Sequence, residues 1–136
     1  MQKLFIEATV SAPEINFSPA DRLLMISGTS CPEDVRALYY PVTEWTRIFV
    51  DEVSKGEYPL LSKESPLKIK INLDYFNSSS AKFLFDILSE LKRLVEENKP
   101  VVVEWFYDLD DSDQKEAGED MASLVGMKFT LIPNPA

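Results

Sequence analysis

Hydrophobic and polar residues alternate in several short stretches of the first third of the chain, and this spacing predicts β-strands. Three such stretches, at residues 3–8, 15–17 and 22–27, are separated by turn residues such as Pro13 and Pro19. Strands that follow one another this closely along a chain pair antiparallel. We therefore predict that the chain opens with an antiparallel meander.

After this meander, apolar residues recur at every third or fourth position from Val35 to Phe49. This period predicts an amphipathic helix that ends near residue 53. Ser30 has the features of its N-cap, because Pro32 and two acidic residues follow, as is typical of a first helical turn. Pro41 lies inside the predicted helix, where it removes one backbone hydrogen bond and favours a kink.

Strands and helices alternate in the second half of the chain. The predicted strands are residues 67–73, with strict alternation, the β-branched and aromatic run 101–107, and residues 127–132. An apolar stripe predicts a helix over 81–95, and a short helix ends near residue 125. We expect the run 101–107 to be a central, largely buried strand. The alternation is typical of an α/β domain whose strands pair parallel through right-handed crossovers.

Length and composition agree with one small domain over residues 1–136. The 136 residues are 45% hydrophobic and 27% charged, as in a globular domain that needs no disulfide or structural metal. The predicted elements amount to a mixed sheet of about six strands with two main helices and one short helix. Cys31 has no partner for a disulfide and no signal-peptide pattern opens the chain, so we expect a cytoplasmic protein. No apolar run reaches the ~18 residues of a membrane-spanning helix.

The charged residues exclude several classes of function. No histidine is present, which removes Ser-His-Asp and Cys-His catalysis and the commonest metal ligand. The formal net charge of −9 disfavours binding to nucleic acids and anionic membranes, because both attract lysine and arginine. Eight acidic residues from Glu104 to Asp120, against the single base Lys115, account for −7 of the −9. Since no glycine-rich phosphate loop is present either, we predict that the protein is not an enzyme.

The most informative segment joins the strictly alternating strand to the helix that follows it. Asn77, Ser78, Ser79 and Ser80 open that helix, where free backbone N–H groups and the helix dipole favour an anion. No Glu or Gln lies three residues beyond any of these serines, so no capping box uses the N–H groups. Lys82 adds a positive charge in the first turn. Either Asn77 or Ser78 simply caps the helix, or a phosphate attached to one serine is stabilised there.

The acidic segment also contains a near match to a calcium-binding loop. Positions 1, 3, 5, 7, 9 and 12 of that pattern are Asp108, Asp110, Ser112, Gln114, Glu116 and Glu119. Position 6, where glycine makes a sharp turn, is Asp113, and a strand precedes the segment where a helix is required. A solvated loop with acidic residues at the start of a short helix fits better, and calcium binding is an alternative.

Seven segments, in this order along nearly the whole chain, together point to a known family. They are residues 15–17 (INF), 24–28 (LMISG), 30–34 (SCPED), 40–45 (YPVTEW), 73–82 (LDYFNSSSAK), 104–107 (EWFY) and 116–121 (EAGEDM). The specific parts are the Tyr-x-Asn-hydroxyl-Ser-Ser-x-Lys and Gly-Glu-Asp stretches. With these segments the chain resembles the SiaC-type bacterial regulatory phosphoproteins.

The resemblance implies a small α/β domain, similar to anti-sigma-factor antagonists (STAS-like domains), that is a substrate and not a catalyst. In the family, a partner kinase phosphorylates one hydroxyl residue and a PP2C-like phosphatase removes the phosphate. The unphosphorylated form binds and activates a diguanylate cyclase, which raises cyclic-di-GMP and promotes aggregation or biofilm formation. No cofactor is implied.

The resemblance also implies which residue is modified. In the family it is the hydroxyl residue directly after the asparagine, usually threonine, and the matching residue in this chain is Ser78, with Ser79 as the rival. The surroundings expected for this phosphorylation site are Tyr75, Asn77, Ser79, Ser80 and Lys82.

Two further expectations concern the partners. The acidic segment is expected to dock a basic partner, because charge complementarity speeds encounter. The candidate docking residues are Asp108, Asp110, Asp111, Glu119 and Asp120. As an alternative to cyclase activation, the protein acts as a partner-switching protein of the anti-sigma-factor-antagonist kind.

Overall fold

Six strands and three helices make up the fold. The computed structural model describes residues 1–59 and 61–135. The strands are β1 (Leu4–Ile6), β2 (Glu14–Ser18), β3 (Leu23–Ser30), β4 (Leu67–Phe76), β5 (Val101–Asp108) and β6 (Phe129–Asn134). The helices are α1 (Val35–Ser54), α2 (Ser78–Glu96) and α3 (Ser112–Val125). The predicted α/β fold, with a six-stranded mixed sheet, two main helices and one shorter helix, is confirmed.

The strands lie in the sheet in the order in which they occur along the chain. β1, β2 and β3 pair antiparallel, as the predicted meander requires. From β3 to β6 every pair is parallel, and a helix connects each strand to the next. The register aligns one apolar row across the sheet: Leu4, Phe17, Leu24, Ile69, Val103 and Phe129. Because side chains alternate between the two faces of a strand, this row belongs to a single buried face.

The helices cover that buried face. Right-handed crossovers that always move to the next strand place all three helices on the same side of the sheet. α1 packs against α2, and α2 packs against α3. The largest fully buried side chains between helices and sheet include Trp105, Tyr39, Phe17 and Phe49. Among the described residues, no helix is long and apolar enough to cross a membrane.

The start of α1 differs from the prediction. Ser30 is the last residue of β3 and is fully buried, so it does not cap the helix. Asp34 is the N-cap, and its Oδ1 accepts a hydrogen bond of 3.1 Å from the backbone N–H of Ala37. β3 extends this far because Ser30 pairs with Phe76 of β4, a long-range contact that local patterns do not contain.

β5 is not the central strand of the sheet. β3 and β4 occupy the centre, while β5 lies next to the edge strand β6. Only Val103 and Trp105 of β5 are fully buried, and its other apolar residues are half-buried. The predicted central position of β5 was wrong. A β-branched run indicates that a strand is buried under the helices, but it does not indicate how many strands lie on either side of it in the sheet.

α3 reaches the sheet through a contact that only glycine allows. A Cβ atom on Gly118 would lie 2.5 Å from Cδ1 and 2.6 Å from Nε1 of Trp105. The indole of Trp105 is 1% exposed, and its Nε1 donates a 3.1 Å hydrogen bond to the carbonyl of Gln114. The helix backbone is therefore packed directly on the indole ring.

Candidate functional site

The predicted phosphorylation segment lies where two parallel strands end side by side. Ser30 of β3 is in register with Phe76 of β4, and a single residue, Asn77, separates β4 from α2. The backbone N–H of Asn77 donates a 3.1 Å hydrogen bond to the carbonyl of Ser30. The start of α2 is thus tied to the neighbouring strand. In open α/β sheets, the carboxyl edge of the strands is where ligands and partners usually bind.

Asn77 is the N-cap of α2. Its Oδ1 accepts a 2.9 Å hydrogen bond from the backbone N–H of Ser80, and Ala81 donates its N–H to the Asn77 carbonyl at 2.9 Å. Of the two predicted alternatives for the cap, Asn77 is therefore correct and Ser78 is not. The cap leaves the N–H groups of Ser78 and Ser79 directed toward solvent, with the positive end of the helix dipole behind them.

The three serines differ sharply in accessibility. Ser78 and Ser79 are exposed, whereas Ser80 is fully buried. Ser80 Oγ accepts a 2.8 Å hydrogen bond from Ser30 Oγ and donates one of 2.9 Å to the Ser30 carbonyl. With its proton already committed to that carbonyl, Ser80 is unsuited to phosphorylation in this fold, and Ser78 and Ser79 are the accessible hydroxyls.

A buried tyrosine extends this hydroxyl network into α1. Tyr39 Oη and Ser30 Oγ are 2.6 Å apart, and the ring of Tyr39 stacks on that of Phe83 at 5.4 Å. Burial raises the pKa of the Tyr39 phenol above its ordinary value, so the network is uncharged at neutral pH. Ser30, Tyr39 and Ser80 therefore bind β3, α1 and α2 together beneath the exposed serines.

Replacing Ser80 by alanine is expected to lower the free energy of unfolding by about 1–2 kcal/mol, because Ser30 loses a buried hydrogen-bond partner. The measurement is urea denaturation followed by circular dichroism. Ser79→Ala, one residue away on the exposed side, is the matched control and is expected to stay within about 0.5 kcal/mol of wild type. Equal stabilities of the two variants would contradict the structural role of Ser80.

The charge near the serines differs from the prediction. Lys82 Nζ forms a 2.9 Å ion pair with Asp86 on the next turn of α2 and lies 4.9 Å from the Phe83 ring centroid. Its charge is thus partly offset within its own helix. A second base, Arg36 of α1, lines a notch of about 210 Å³ together with Lys82, Tyr40 and Ser79. No local pattern distinguishes Arg36 from other exposed bases, because only the packing of α1 against α2 brings it to this place.

Exposed tyrosines flank the serines on both sides. Tyr75 is 57% exposed at the end of β4, and Tyr40 is 56% exposed on α1. Tyrosine is enriched in protein–protein interfaces, where it often supplies much of the binding energy. The edge around Ser78 therefore has the composition of a docking surface.

The five predicted docking acids differ in whether they form hydrogen bonds within the fold. Asp111 is the N-cap of α3 and accepts a 3.0 Å hydrogen bond from the N–H of Gln114. Asp108 accepts a 2.9 Å hydrogen bond from Asn134 Nδ2. Asp110, Glu119 and Asp120 lie exposed in the loop and on α3. Within residues 1–59 and 61–135, none of these three side chains forms an ion pair or a side-chain hydrogen bond.

The calcium-loop alternative does not fit this geometry. α3 begins at Ser112, so the residues at positions 5 to 12 of the pattern lie along a helix and cannot wrap around an ion. Gln114 is buried, with its Nε2 donating to the Leu73 carbonyl and its Oε1 accepting from the N–H of Asp108 at 2.6 Å. In residues 1–59 and 61–135, no three Cys, Asp or Glu side chains are grouped to hold a metal ion.

Known proteins resemble this chain over nearly its full length. A family model described as SiaC family regulatory phosphoprotein matches residues 6–134. An uncharacterized protein of Pseudomonas aeruginosa (strain UCBPP-PA14) is 28% identical over 131 residues, which cover 96% of both chains.

Solved structures of SiaC from Pseudomonas aeruginosa have the same fold. Apo-SiaC is 26% identical with a TM-score of 0.72, covering 99% of this chain and 100% of its own. SiaC in complex with the diguanylate cyclase SiaD, whose activator it is, is 27% identical with a TM-score of 0.82, covering 96% and 99% of the two chains. The match in sequence, fold and length leads to one conclusion: this chain belongs to the SiaC family of regulatory phosphoproteins.

Proposed function

We propose that this protein is a non-enzymatic signalling switch that a kinase phosphorylates on Ser78 and that activates a diguanylate cyclase when unphosphorylated. The observation that supports this most directly is the pair of exposed hydroxyls, Ser78 and Ser79, on a rigidly anchored helix start. Ser78 occupies the position of the family's modified residue, directly after the capping Asn77. We propose the cytoplasm as its location.

The chemistry of the helix start suits a phosphate. A phosphoserine carries about −1.5 to −2 charges at neutral pH and accepts several strong hydrogen bonds. The N–H groups of Ser78 and Ser79 and the helix dipole supply donors and positive potential, and Arg36 adds positive charge in the notch beside Ser79. The modified state is therefore stabilised by groups already in place, without a rearrangement of the buried network.

The proposed partners follow from the family and from its relatives. SiaC of Pseudomonas aeruginosa is the activator of SiaD and forms a complex with it, which favours a cyclase over an anti-sigma factor as the target of this chain. A cognate kinase and a PP2C-like phosphatase complete the proposed cycle. The docking surface includes Tyr75 and Tyr40, so the phosphate at Ser78 lies where the cyclase has to pack.

Ser78→Ala is expected to abolish phosphate uptake. Purified protein is incubated with the cognate kinase and ATP, and intact mass is measured against wild type, which should gain one phosphate. Ser79→Ala, the neighbouring exposed hydroxyl, is the matched control and should gain the phosphate as wild type does. If Ser78→Ala gains the phosphate as wild type does and Ser79→Ala does not, the modified residue is Ser79 and the assignment to Ser78 is wrong.

A further inference from the structure

An apolar groove lies between the end of β4, two residues before Ser78, and the first turns of α3. This cavity, which we call the β4–α3 groove, has a volume of about 440 Å³. Leu73, Phe76 and Ala117 line it, together with Tyr75, which is 57% exposed. Its volume is within the range of about 300–1,000 Å³ that is typical of binding pockets.

The rim of the groove is acidic. Asp74, Asp111 and Asp113 all line it, and no lysine or arginine of the described residues does. Asp74 and Asp113 are exposed and take part in no ion pair within residues 1–59 and 61–135. The groove therefore combines an apolar interior with two exposed carboxylates that have no ion-pair partner among the described residues, and with a third, Asp111, that caps α3.

The walls of the groove are held in place. Gln114 also lines the groove and is buried. Its side chain bridges β4 and β5, because it donates to the Leu73 carbonyl and accepts from the N–H of Asp108. The Gln114 carbonyl in turn accepts the indole N–H of Trp105. A preformed groove loses little conformational entropy when a partner enters it, which favours tight binding.

We propose that the β4–α3 groove docks a segment of the partner cyclase that presents one bulky apolar side chain flanked by lysine or arginine. This proposal rests on the proposed function for the identity of the partner. An apolar side chain is required to displace water from the interior, and basic neighbours are required to compensate the three carboxylates. A segment with neutral or acidic flanks would desolvate those carboxylates without compensation, which disfavours it.

The groove and Ser78 act on the same partner from neighbouring positions. Tyr75 and Phe76 line the groove, and Ser78 follows only two residues after Phe76. Ser78 itself does not line the groove, so the two sites are distinct. The groove thus supplies a second anchor, with an apolar part and an electrostatic part, and the electrostatic part depends on salt.

The test compares two double charge reversals against the purified, full-length cognate cyclase. Asp74→Lys with Asp113→Lys reverses the rim, and we expect at least about a tenfold rise in Kd with a weaker salt dependence. Glu64→Lys with Glu96→Lys makes the same change in net charge at two exposed positions outside the groove and outside the predicted docking acids, and its Kd is expected to stay within about threefold of wild type. Binding is measured by biolayer interferometry at several salt concentrations, and circular dichroism verifies that each variant folds.

A variant without any charge change tests the apolar part. Tyr75→Ala removes a side chain that lines the groove and is 57% exposed, and we expect about a tenfold rise in Kd, with circular dichroism again verifying the fold. If the two charge reversals weaken binding equally, binding depends on net charge and not on the groove, and the proposal is wrong. The proposal is also wrong if the rim variant binds as tightly as wild type. If wild-type protein itself does not bind the cyclase, the proposed function fails and the docking proposal fails with it.

Discussion

Phosphorylation of Ser78 is expected to raise the Kd for the partner cyclase by at least about 100-fold, because an interface that covers Ser78 must desolvate a charge of about −2. Covering the unmodified hydroxyl costs little desolvation free energy, because it is small, uncharged and exposed at the start of α2. Binding is measured with stoichiometrically phosphorylated protein, and cyclase activity is followed by the cyclic-di-GMP formed. Activation should be lost together with binding.

The control for this experiment is Ser78→Ala treated with the same kinase and ATP, which should bind and activate the cyclase as untreated wild type does. Ser78→Glu adds only one charge, so its effect should be smaller than that of the phosphate. A phosphorylated protein that binds within about threefold of the unmodified form would show that the cyclase does not cover Ser78. The switch would then need another explanation.

Gly118→Ala is expected to lower the free energy of unfolding by about 1–3 kcal/mol, the usual cost of overpacking a core. In an ordinary helix interior, replacing glycine by alanine stabilises the protein by about 1 kcal/mol. The sign of the measured change therefore distinguishes overpacking from the usual helix-propensity effect. The reason is the 2.5 Å approach that the new Cβ would make to the buried indole of Trp105. The indole is 1% exposed and packs against Phe76 and Phe129, so a shift of the ring would disturb the core around it.

Urea denaturation followed by circular dichroism measures this effect. Ser123→Ala, at an exposed position of the same helix, is the control and should stay within about 0.5 kcal/mol of wild type. In a Trp105→Phe background the smaller ring makes room, so Gly118→Ala should cost less there, and a double-mutant cycle gives the difference. A Gly118→Ala protein more stable than wild type would contradict the close contact between α3 and β5.

The types of the elements were predictable from sequence because each depends on a local period. Alternation along β4 and the three- and four-residue spacing along α1 and α2 identified these elements within a few residues of their ends. The errors concern features that depend on pairing between strands. Ser30 became the end of β3 instead of a helix cap because it pairs with Phe76. β5 lies off-centre because the chain adds β6 outside it.

The sequence by itself limited the N-cap of α2 to Asn77 or Ser78 and placed the three hydroxyls at this helix start, because capping depends on neighbouring residues. The structure selects Asn77. The tertiary structure alone decided which hydroxyls are accessible, since Ser80 is buried by its bonds to Ser30, 50 residues away. It alone also brought Asp74 and Asp113 to the rim of one groove. The physical reason is that burial and charge clustering arise from packing between elements that are distant along the chain, and no local pattern records that packing.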